Sequence, residues 1–272
     1  MRIIVPIKQV PETGAVRMDE ATGTMVREGV EAIVNPLDLY AIELALRLRD
    51  SSRSADGEGN HEVLALSMGP PKAQTALREA LAMGCDRGVL LSDPAFAGSD
   101  TWATSNVLAS AIRKLGEFAL VICGERATDG DTGQVGPGIA SFLDLPLVTY
   151  VSRVRSFGPD EMVVERLVEE GHEVLAMSLP GVLTVVKEAC DPRLPTLRGK
   201  QRARQAELVR WGHQELGLAR EKVGLAGSPT RVVRLHRPSV ARQCRRLIAA
   251  DEESAALAVR ELVDILRQKN LL

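Results

Sequence analysis

The stretch Phe118-Ala-Leu-Val-Ile-Cys-Gly-Glu-Arg-Ala-Thr-Asp-Gly-Asp-Thr-Gly-Gln-Val-Gly-Pro137 runs from an apolar segment of strand length into a glycine-rich turn. Asp131–Leu143 then reads as a helix. Four glycines (Gly124, Gly130, Gly133, Gly136) let the backbone approach a ligand closely. The free N–H groups of a helix opened by such a turn can receive phosphate oxygens. Thr132 and Gln134 add neutral donors. Asp129 and Asp131 would repel a phosphate beside them and suit ribose hydroxyls or helix capping. A turn that merely lets helix and sheet pack is the other reading of the same glycines. No Lys-Ser/Thr closes it into a Walker loop, and the GxGxxG spacing of the dinucleotide fingerprint is absent.

Upstream, strand-like runs recur at Ile3–Ile7, Val63–Ser67 and Gly88–Leu91. The segments between them have helical spacing. Pro70–Met83 carries Ala73, Ala76, Leu77, Ala80 and Leu81 on one face and stops at Gly84. Asp100–Leu115 carries Ala103, Val107, Leu108, Ala111 and Ile112 and is closed by Gly116. Asn35-Pro36 supplies an N-cap and a preset first turn to a helix running from Leu37 to Leu48. Strand–helix–strand alternation implies crossover units and a parallel sheet covered on both faces. The fold class is therefore α/β, a doubly wound, mostly parallel, Rossmann-like sheet.

Downstream the texture changes. Leu147–Ser156, Met162–Leu167, His172–Leu179 and Val182–Val186 read as four strands of an antiparallel extension. Ser51–Asn60 reads as a polar loop. From about Glu207 the periodicity is lost until Ser254–Lys269, a terminal amphipathic helix. Val223–Arg242, with Gly224, Gly227, Pro229 and Pro238, reads as an arm lying on something else. The expected division is residues 1–206 as a nucleotide-binding α/β domain and residues 207–272 as a C-terminal arm plus helix.

Composition narrows the function classes. The 272 residues are 45% hydrophobic and 26% charged, an ordinary globular balance. No apolar run approaches the ~20 residues of a membrane helix. The net charge of −2 and the eight aromatic residues offer no nucleic-acid platform. Arg198–Arg246 is the exception, with thirteen Lys/Arg against three Asp/Glu, and suits docking on an acidic surface. Cys85, Cys123, Cys190 and Cys244 are widely spaced, as are His61, His172, His213 and His236, so neither a metal site nor a disulfide frame is expected. Reduced thiols and the absence of a leader after Met1 lead to a cytoplasmic expectation.

In open parallel sheets ligands bind beyond the carboxyl ends of the strands. Three further strand-end turns are candidates. Ser67-Met68-Gly69-Pro70 offers backbone at Gly69, or is a plain strand-to-helix turn. Ser92-Asp-Pro-Ala-Phe96-Ala-Gly-Ser-Asp-Thr101 offers hydroxyls at Thr101 and Thr104, with Ser99 or Asp100 as helix cap, or is a simple loop. Pro6-Ile7-Lys8-Gln9 places Lys8 where it could neutralise phosphate, or as an ordinary surface lysine. No catalytic triad, nucleophile elbow or helical His pair is present. A nucleotide cradle without a nucleophile suits a carrier better than a hydrolase or synthetase of similar fold, the reading from a different functional class.

Val5-Pro-Ile-Lys-Gln-Val-Pro11, Asn35-Pro36, Met68-Gly-Pro70, Ala82-Met-Gly-Cys-Asp86, Gly124–Pro137 and Asp191-Pro-Arg-Leu-Pro-Thr-Leu-Arg-Gly199 resemble, in order and spacing, the beta subunit of electron-transfer flavoproteins. The resemblance covers essentially the whole chain. It implies an adenine nucleotide held by Pro6, Asn35 through Asp38, Met68 and the run Gly124, Glu125, Arg126, Ala127, Thr128, Asp129, Gly130, Asp131, Thr132, Gly133, Gln134 and Val135. It also implies an alpha subunit carrying a redox-active FAD. Thr128, where an aliphatic residue is expected, and Gly133, where many members have Ala or Asn, depart from the pattern. The Ser92–Thr101 stretch with Thr104, and Ala226-Gly-Ser-Pro-Thr230, resemble the electron-bifurcating branch. There the beta-subunit ligand is FAD, reduced by NADH, rather than a structural AMP. Arg126 is the nearest cation for a reduced flavin, or a salt-bridge partner of Glu125 or a neighbouring acid. Residues 190–200 resemble the loop that docks on partner dehydrogenases, with Leu197 as apolar anchor and Arg198, Lys200, Arg202 and Arg204 around it. The C-terminal arm and helix would pack on the alpha subunit.

Overall fold

Alternate residues of the central strand, β1 (Arg2–Ile7), enter opposite layers of core. Ile3, Val5 and Ile7 join one apolar cluster and Ile4 the other. This is the period-two geometry of a strand with both faces covered. The computed structural model of the chain describes residues 1–12, 17–18, 25–26, 32–56, 61–233 and 246–272.

After β1 come β2 (Gln9–Pro11), β3 (Arg17–Met18), β4 (Met25–Val26), β5 (Ala32–Val34) and α1 (Pro36–Asp56). Next are β6 (Glu62–Met68), α2 (Gln74–Met83), β7 (Arg87–Leu91), α3 (Thr101–Leu115), β8 (Leu120–Gly124) and α4 (Val135–Leu143). The chain continues through β9 (Leu147–Phe157), β10 (Glu161–Val168), β11 (Gly171–Ser178), β12 (Gly181–Val185), α5 (Leu197–Gln205), β13 (Val209–Trp211) and α6 (Glu252–Gln268). Nine strands form one sheet in the order β11-β10-β9-β12-β8-β1-β6-β7-β13. Pairing is parallel from β9 across to β13, and antiparallel between β9, β10 and β11. Two short antiparallel pairs, β2 with β5 and β3 with β4, complete the strands.

The two layers follow from the crossovers. α1 and α2 bury Ile42, Leu46, Leu77 and Leu81 against one face of the sheet. α3 and α4 bury Val107, Ile112 and Ile139 against the other. The doubly wound α/β architecture expected from the alternation is present. Two details differ. β12 runs parallel to β8 and β9, so three rather than four strands make the antiparallel extension. Ser51–Asp56, expected as loop, continues α1, because Arg49 and Arg53 anchor the polar end of the helix to Asp86. Residues 57–60 of that expected loop lie outside the described residues, as do His236 and Cys244.

The chain divides into a unit Met1–Val233 and a unit Arg234–Leu272. Residues 207–233, read from the sequence as the start of an arm, include β13, whose Val209, Arg210 and Trp211 pair with Val89, Leu90 and Leu91 of β7. Residues 234–242 of that arm are outside the described set. In the second unit Asp251 and Ser254 form a reciprocal cap at the start of α6, and Leu257 and Leu262 on that helix are exposed.

Candidate functional site

A doubly wound sheet leaves a crevice where successive crossovers set off in opposite directions. Here α1 and α2 carry the chain from β1 to β6 and β7 over one face. α3 then carries it back over the other face to β8, on the far side of β1. The switch point falls between β1 and β8, at their carboxyl ends. The turns after these two strands are those that hold Lys8 and Gly124–Gln134.

Hydrogen bonds join them. Asn35 is fully buried, and its side chain does not cap the helix that follows. Its amide donates to the Arg126 carbonyl at 2.9 Å and to Asp38 Oδ1 at 2.9 Å, and its oxygen accepts from the Thr128 N–H at 3.1 Å. Its backbone N–H reaches the Lys8 carbonyl at 2.8 Å. Asp38 Oδ2 accepts from the Lys8 N–H at 2.7 Å. Above this buried layer, Lys8 Nζ donates to Asp129 Oδ1 at 2.7 Å. Asn35 thus pins the first half of the glycine-rich turn to the end of β1. Burial pushes the Asp38 carboxyl up to about 7, against the downward pull of the Asn35 amide and the Lys8 N–H.

The glycines of the turn divide by role. A Cβ at Gly124 would lie 2.5 Å from Asp38 Oδ1, and one at Gly136 2.6 Å from Thr184 Cγ2, so both serve close packing. Gly130 has nothing within 4 Å of such a Cβ, and at Gly133, with φ +62°, it would meet only the Glu125 carbonyl oxygen at 3.6 Å, an ordinary contact. These two keep the turn open on its outer side. Among the described residues the N–H groups of Thr132, Gly133 and Gln134 have no intrachain acceptor, and α4 starts at Val135 with no side-chain cap. The expected helix start at Asp131 therefore moves to Val135. Asp131 (φ +51°) and Gly133 adopt left-handed backbone that a helix does not admit. The result is a run of unpaired donors at the positive end of a helix, a setting chemically suited to an anion.

The remaining expected residues fall around this crevice or away from it. Thr101, the first residue of α3, donates from its hydroxyl to Gln134 Oε1 at 3.0 Å, bringing the two helix starts together. Met68 and Val135 pack partly buried against the α3–α4 layer, Pro6 is buried within β1, and Thr104 is half-buried on α3. Gly69 donates to the Leu91 carbonyl at 3.0 Å, tying the β6 turn to the end of β7. Phe96 is 6% exposed and belongs to the core with Leu91 and Val223, so its ring is directed inward. Arg126 pairs with Asp131 at 2.9 Å and Glu125 at 3.4 Å, the salt-bridge arrangement among its two sequence readings. Sequence reasoning passed over Ser67, whose hydroxyl is buried at the end of β6 without a hydrogen-bond partner. Ser67 follows Val63 and Ala65 on the face of β6 that meets the α1–α2 layer, so this orphaned hydroxyl belongs to the opposite side of the sheet from α4.

Leu197 and its basic neighbours occupy a different surface. Asp191–Thr196 leads into α5, which the sequence did not suggest because Ala203 is its one buried residue. Thr196 caps α5 by accepting from the Gly199 N–H at 2.9 Å. Arg202 donates to the Leu81 carbonyl at 2.9 Å, so it braces α5 on α2 and is not a free rim cation. Leu194 and Leu197 stand 87% and 86% exposed.

Concavities also lie elsewhere among the described residues. A broad cleft opens at the amino edge of the sheet, lined by Arg2, Glu62, Phe118, Arg153 and Phe157. It has no glycine-rich turn and no helix N-terminus facing it from a crossover, and it lies away from the strand ends where α/β sheets bind ligands. A shallow hollow beside Ser92 contains Asp93, Arg210 and Glu215. Asp93 accepts from the Ala95 N–H at 2.9 Å and contacts His213 Nδ1 at 2.6 Å, which holds its carboxyl down at about 2. Among the described residues no group of His, Cys, Asp and Glu could hold a metal ion, and no helix is long and apolar enough to cross a membrane.

Comparison with known proteins places this geometry in context. The model of the electron transfer flavoprotein domain matches residues 22–216. The caffeyl-CoA reductase-Etf complex subunit CarD of Acetobacterium woodii is 46% identical over 238 residues, 88% of each chain. The electron transfer flavoprotein subunit beta of Thermoanaerobacterium thermosaccharolyticum is 42% identical over 273 residues, the full length of both. Protein FixA of Azorhizobium caulinodans is 41% identical over 266 residues, 95% of this chain and 92% of its own.

Proposed function

This chain belongs to the electron transfer flavoprotein family, as a beta subunit acting in electron transfer beside an alpha subunit, and on that premise we propose that it holds FAD in the crevice between β1 and β8. The observation that supports the reading is the set of unpaired N–H groups at 132–134, at the uncapped start of α4 in the turn that follows β8. Donors so placed suit a pyrophosphate. The adenosine side would lie toward Asn35–Asp38 and Met68, and the second half of the cofactor toward the start of α3 and Thr101.

FAD when bound supplies one- and two-electron chemistry, and the chain supplies placement and electrostatics. Asn35 and Asp38 fix the turn, and the amides at 132–134 neutralise phosphate charge. Arg126, half exposed in its pairs with Asp131 and Glu125, is a cation carried by the turn itself. We further propose that electrons pass between NADH or acyl-CoA-type dehydrogenases and downstream acceptors, with bifurcation at this subunit's flavin. The name of the Acetobacterium relative, a subunit of a caffeyl-CoA reductase complex, supports that partner class. NAD would then approach this flavin within the complex. Residues 190–200, with Leu197 at the tip, would meet the dehydrogenase, and the chain beyond Val233 would meet the alpha subunit.

AMP as a structural ligand is the second reading, and one observation favours it. The Thr101–Gln134 hydrogen bond ties the starts of α3 and α4 together, and a ligand confined to the side of Asn35 and the 124–134 turn would be a mononucleotide. Counting flavins in the purified heterodimer separates the two. Two per heterodimer is the expected result; one flavin with one AMP would overturn the FAD assignment.

A further inference from the structure

Residues 224–230 cross the turn between β7 and α3 as a strap. The Leu225 N–H donates to the Ala97 carbonyl at 3.0 Å, and the Asp100 N–H donates to Ser228 Oγ at 2.8 Å. The Ser228 hydroxyl in turn donates to the Gly224 carbonyl at 2.7 Å, which closes the strap on itself. Gly224 has φ +60°, and a Cβ there would lie 2.1 Å from the Ala95 carbonyl oxygen, so the strap lies directly against the turn.

Asp100 is the junction. One carboxylate oxygen, Oδ1, accepts from the Ala103 N–H at 3.0 Å and caps α3. The other, Oδ2, accepts from the Thr230 N–H at 3.0 Å and the Thr230 hydroxyl at 2.7 Å. The next residue, Thr101, carries the hydroxyl that meets Gln134. The strap is therefore bonded to Asp100, whose chain neighbour Thr101 is bonded to the end of the glycine-rich turn. The two helix starts are also unlike each other. α3 is capped by the Asp100 carboxylate, which disfavours an anion there, whereas α4 has no side-chain cap. Phosphate is thereby directed to α4, and the α3 start borders whatever lies beyond the phosphates.

We propose that Asp100 is a positioning residue that sets cofactor specificity. By clamping the strap to the start of α3 it fixes the room beyond the phosphates, which a dinucleotide occupies and a mononucleotide does not. This rests on the reading of the crevice as an adenine-nucleotide site. Asp100→Asn separates the two duties of the side chain. Asparagine caps helices as well as aspartate does. Its NH2 group, however, replaces Oδ2 opposite the Thr230 N–H, so the clamp loses its acceptor while the cap survives.

The test uses the heterodimer depleted of nucleotide and titrated separately with AMP and with FAD. Asp100→Asn is expected to leave AMP affinity within about twofold and to weaken FAD binding at this subunit about tenfold. Thr230→Val, which removes one of the two bonds to Oδ2, is expected to weaken FAD binding about threefold in the same direction. Equal weakening of both ligands would reduce Asp100 to a structural role, and unchanged affinities would remove it from the site; either result overturns the proposal. The wild-type titration reports on the underlying reading separately. If the wild-type complex takes up neither ligand at this subunit, the nucleotide site itself is wrong.

Discussion

Asn35→Ala is expected to lower the stability of the chain by about 3 kcal/mol and to weaken cofactor retention more than tenfold. The side chain it removes is fully buried and serves three partners, the Arg126 carbonyl, the Thr128 N–H and Asp38 Oδ1. Buried groups left without a partner each cost ~1–3 kcal/mol, with the loop groups at the low end because water can reach them. The turn at 125–128 then loses its attachment to β1, and the donors at 132–134 lose their fixed orientation. The deficit has a pH signature. Asp38 titrates in the folded chain at about 7, above the ordinary carboxylate range, so its favourable contribution is full in acid and is lost as pH rises through that value. Without the Asn35 donor the ionised carboxyl is held less well, and its folded value rises further. The stability gap between Asn35→Ala and wild type is therefore expected to widen between pH 6 and pH 8.5, which denaturant titrations at the two pH values would read. A gap independent of pH would mean that Asp38 does not sense the amide.

Leu197→Glu is expected to leave folding and cofactor content unchanged and to slow electron exchange with the partner dehydrogenase about a hundredfold at subsaturating concentrations. Leu197 is 86% exposed at the first position of α5, so the fold loses almost no buried surface. A carboxylate in the first turn of a helix is also mildly favourable. The helix beneath is rigidly seated, since Gly199 lies so close to the Ala82 carbonyl that a Cβ would come within 2.2 Å, and Arg202 is bonded to Leu81. An exposed apolar side chain on a braced helix that also carries Arg198, Lys200 and Arg204 matches an anchor with a charged rim. Unchanged exchange kinetics with the dehydrogenase would assign the docking surface elsewhere.

Most of the sheet was legible because burial on both faces imposes unbroken apolar runs, and the crossover helices show their buried stripes at Leu77, Leu81, Val107 and Ile112. What escaped was held by polar contacts. The end of α1 reads as loop by composition yet is helical through Arg49 and Arg53. α5 shows one inward residue, Ala203, too little for a periodic signal. β13 is only three residues long and depends on β7 for its existence. The candidate turns could be named from glycines and strand ends, but not the reason they converge. That reason is the insertion of β8 between β1 and β12, which no local pattern encodes. Asn35 illustrates the same limit. Asn-Pro reads as a helix start, and the pattern gives no sign that the amide crosses to a turn some ninety residues later. Nor does a strand-end loop show which way its one large apolar side chain turns; that of Phe96 enters the core.

The proposed cofactor site is the carboxyl-edge crevice between β1 and β8. A density map of the heterodimer purified with its native cofactors tests it directly. The expected result is an adenine nucleotide in that crevice, with phosphate oxygens within hydrogen-bonding distance of the amides at 132–134. A crevice filled by protein side chains, or a nucleotide seated instead in the amino-edge cleft beside Arg2 and Arg153, would contradict it.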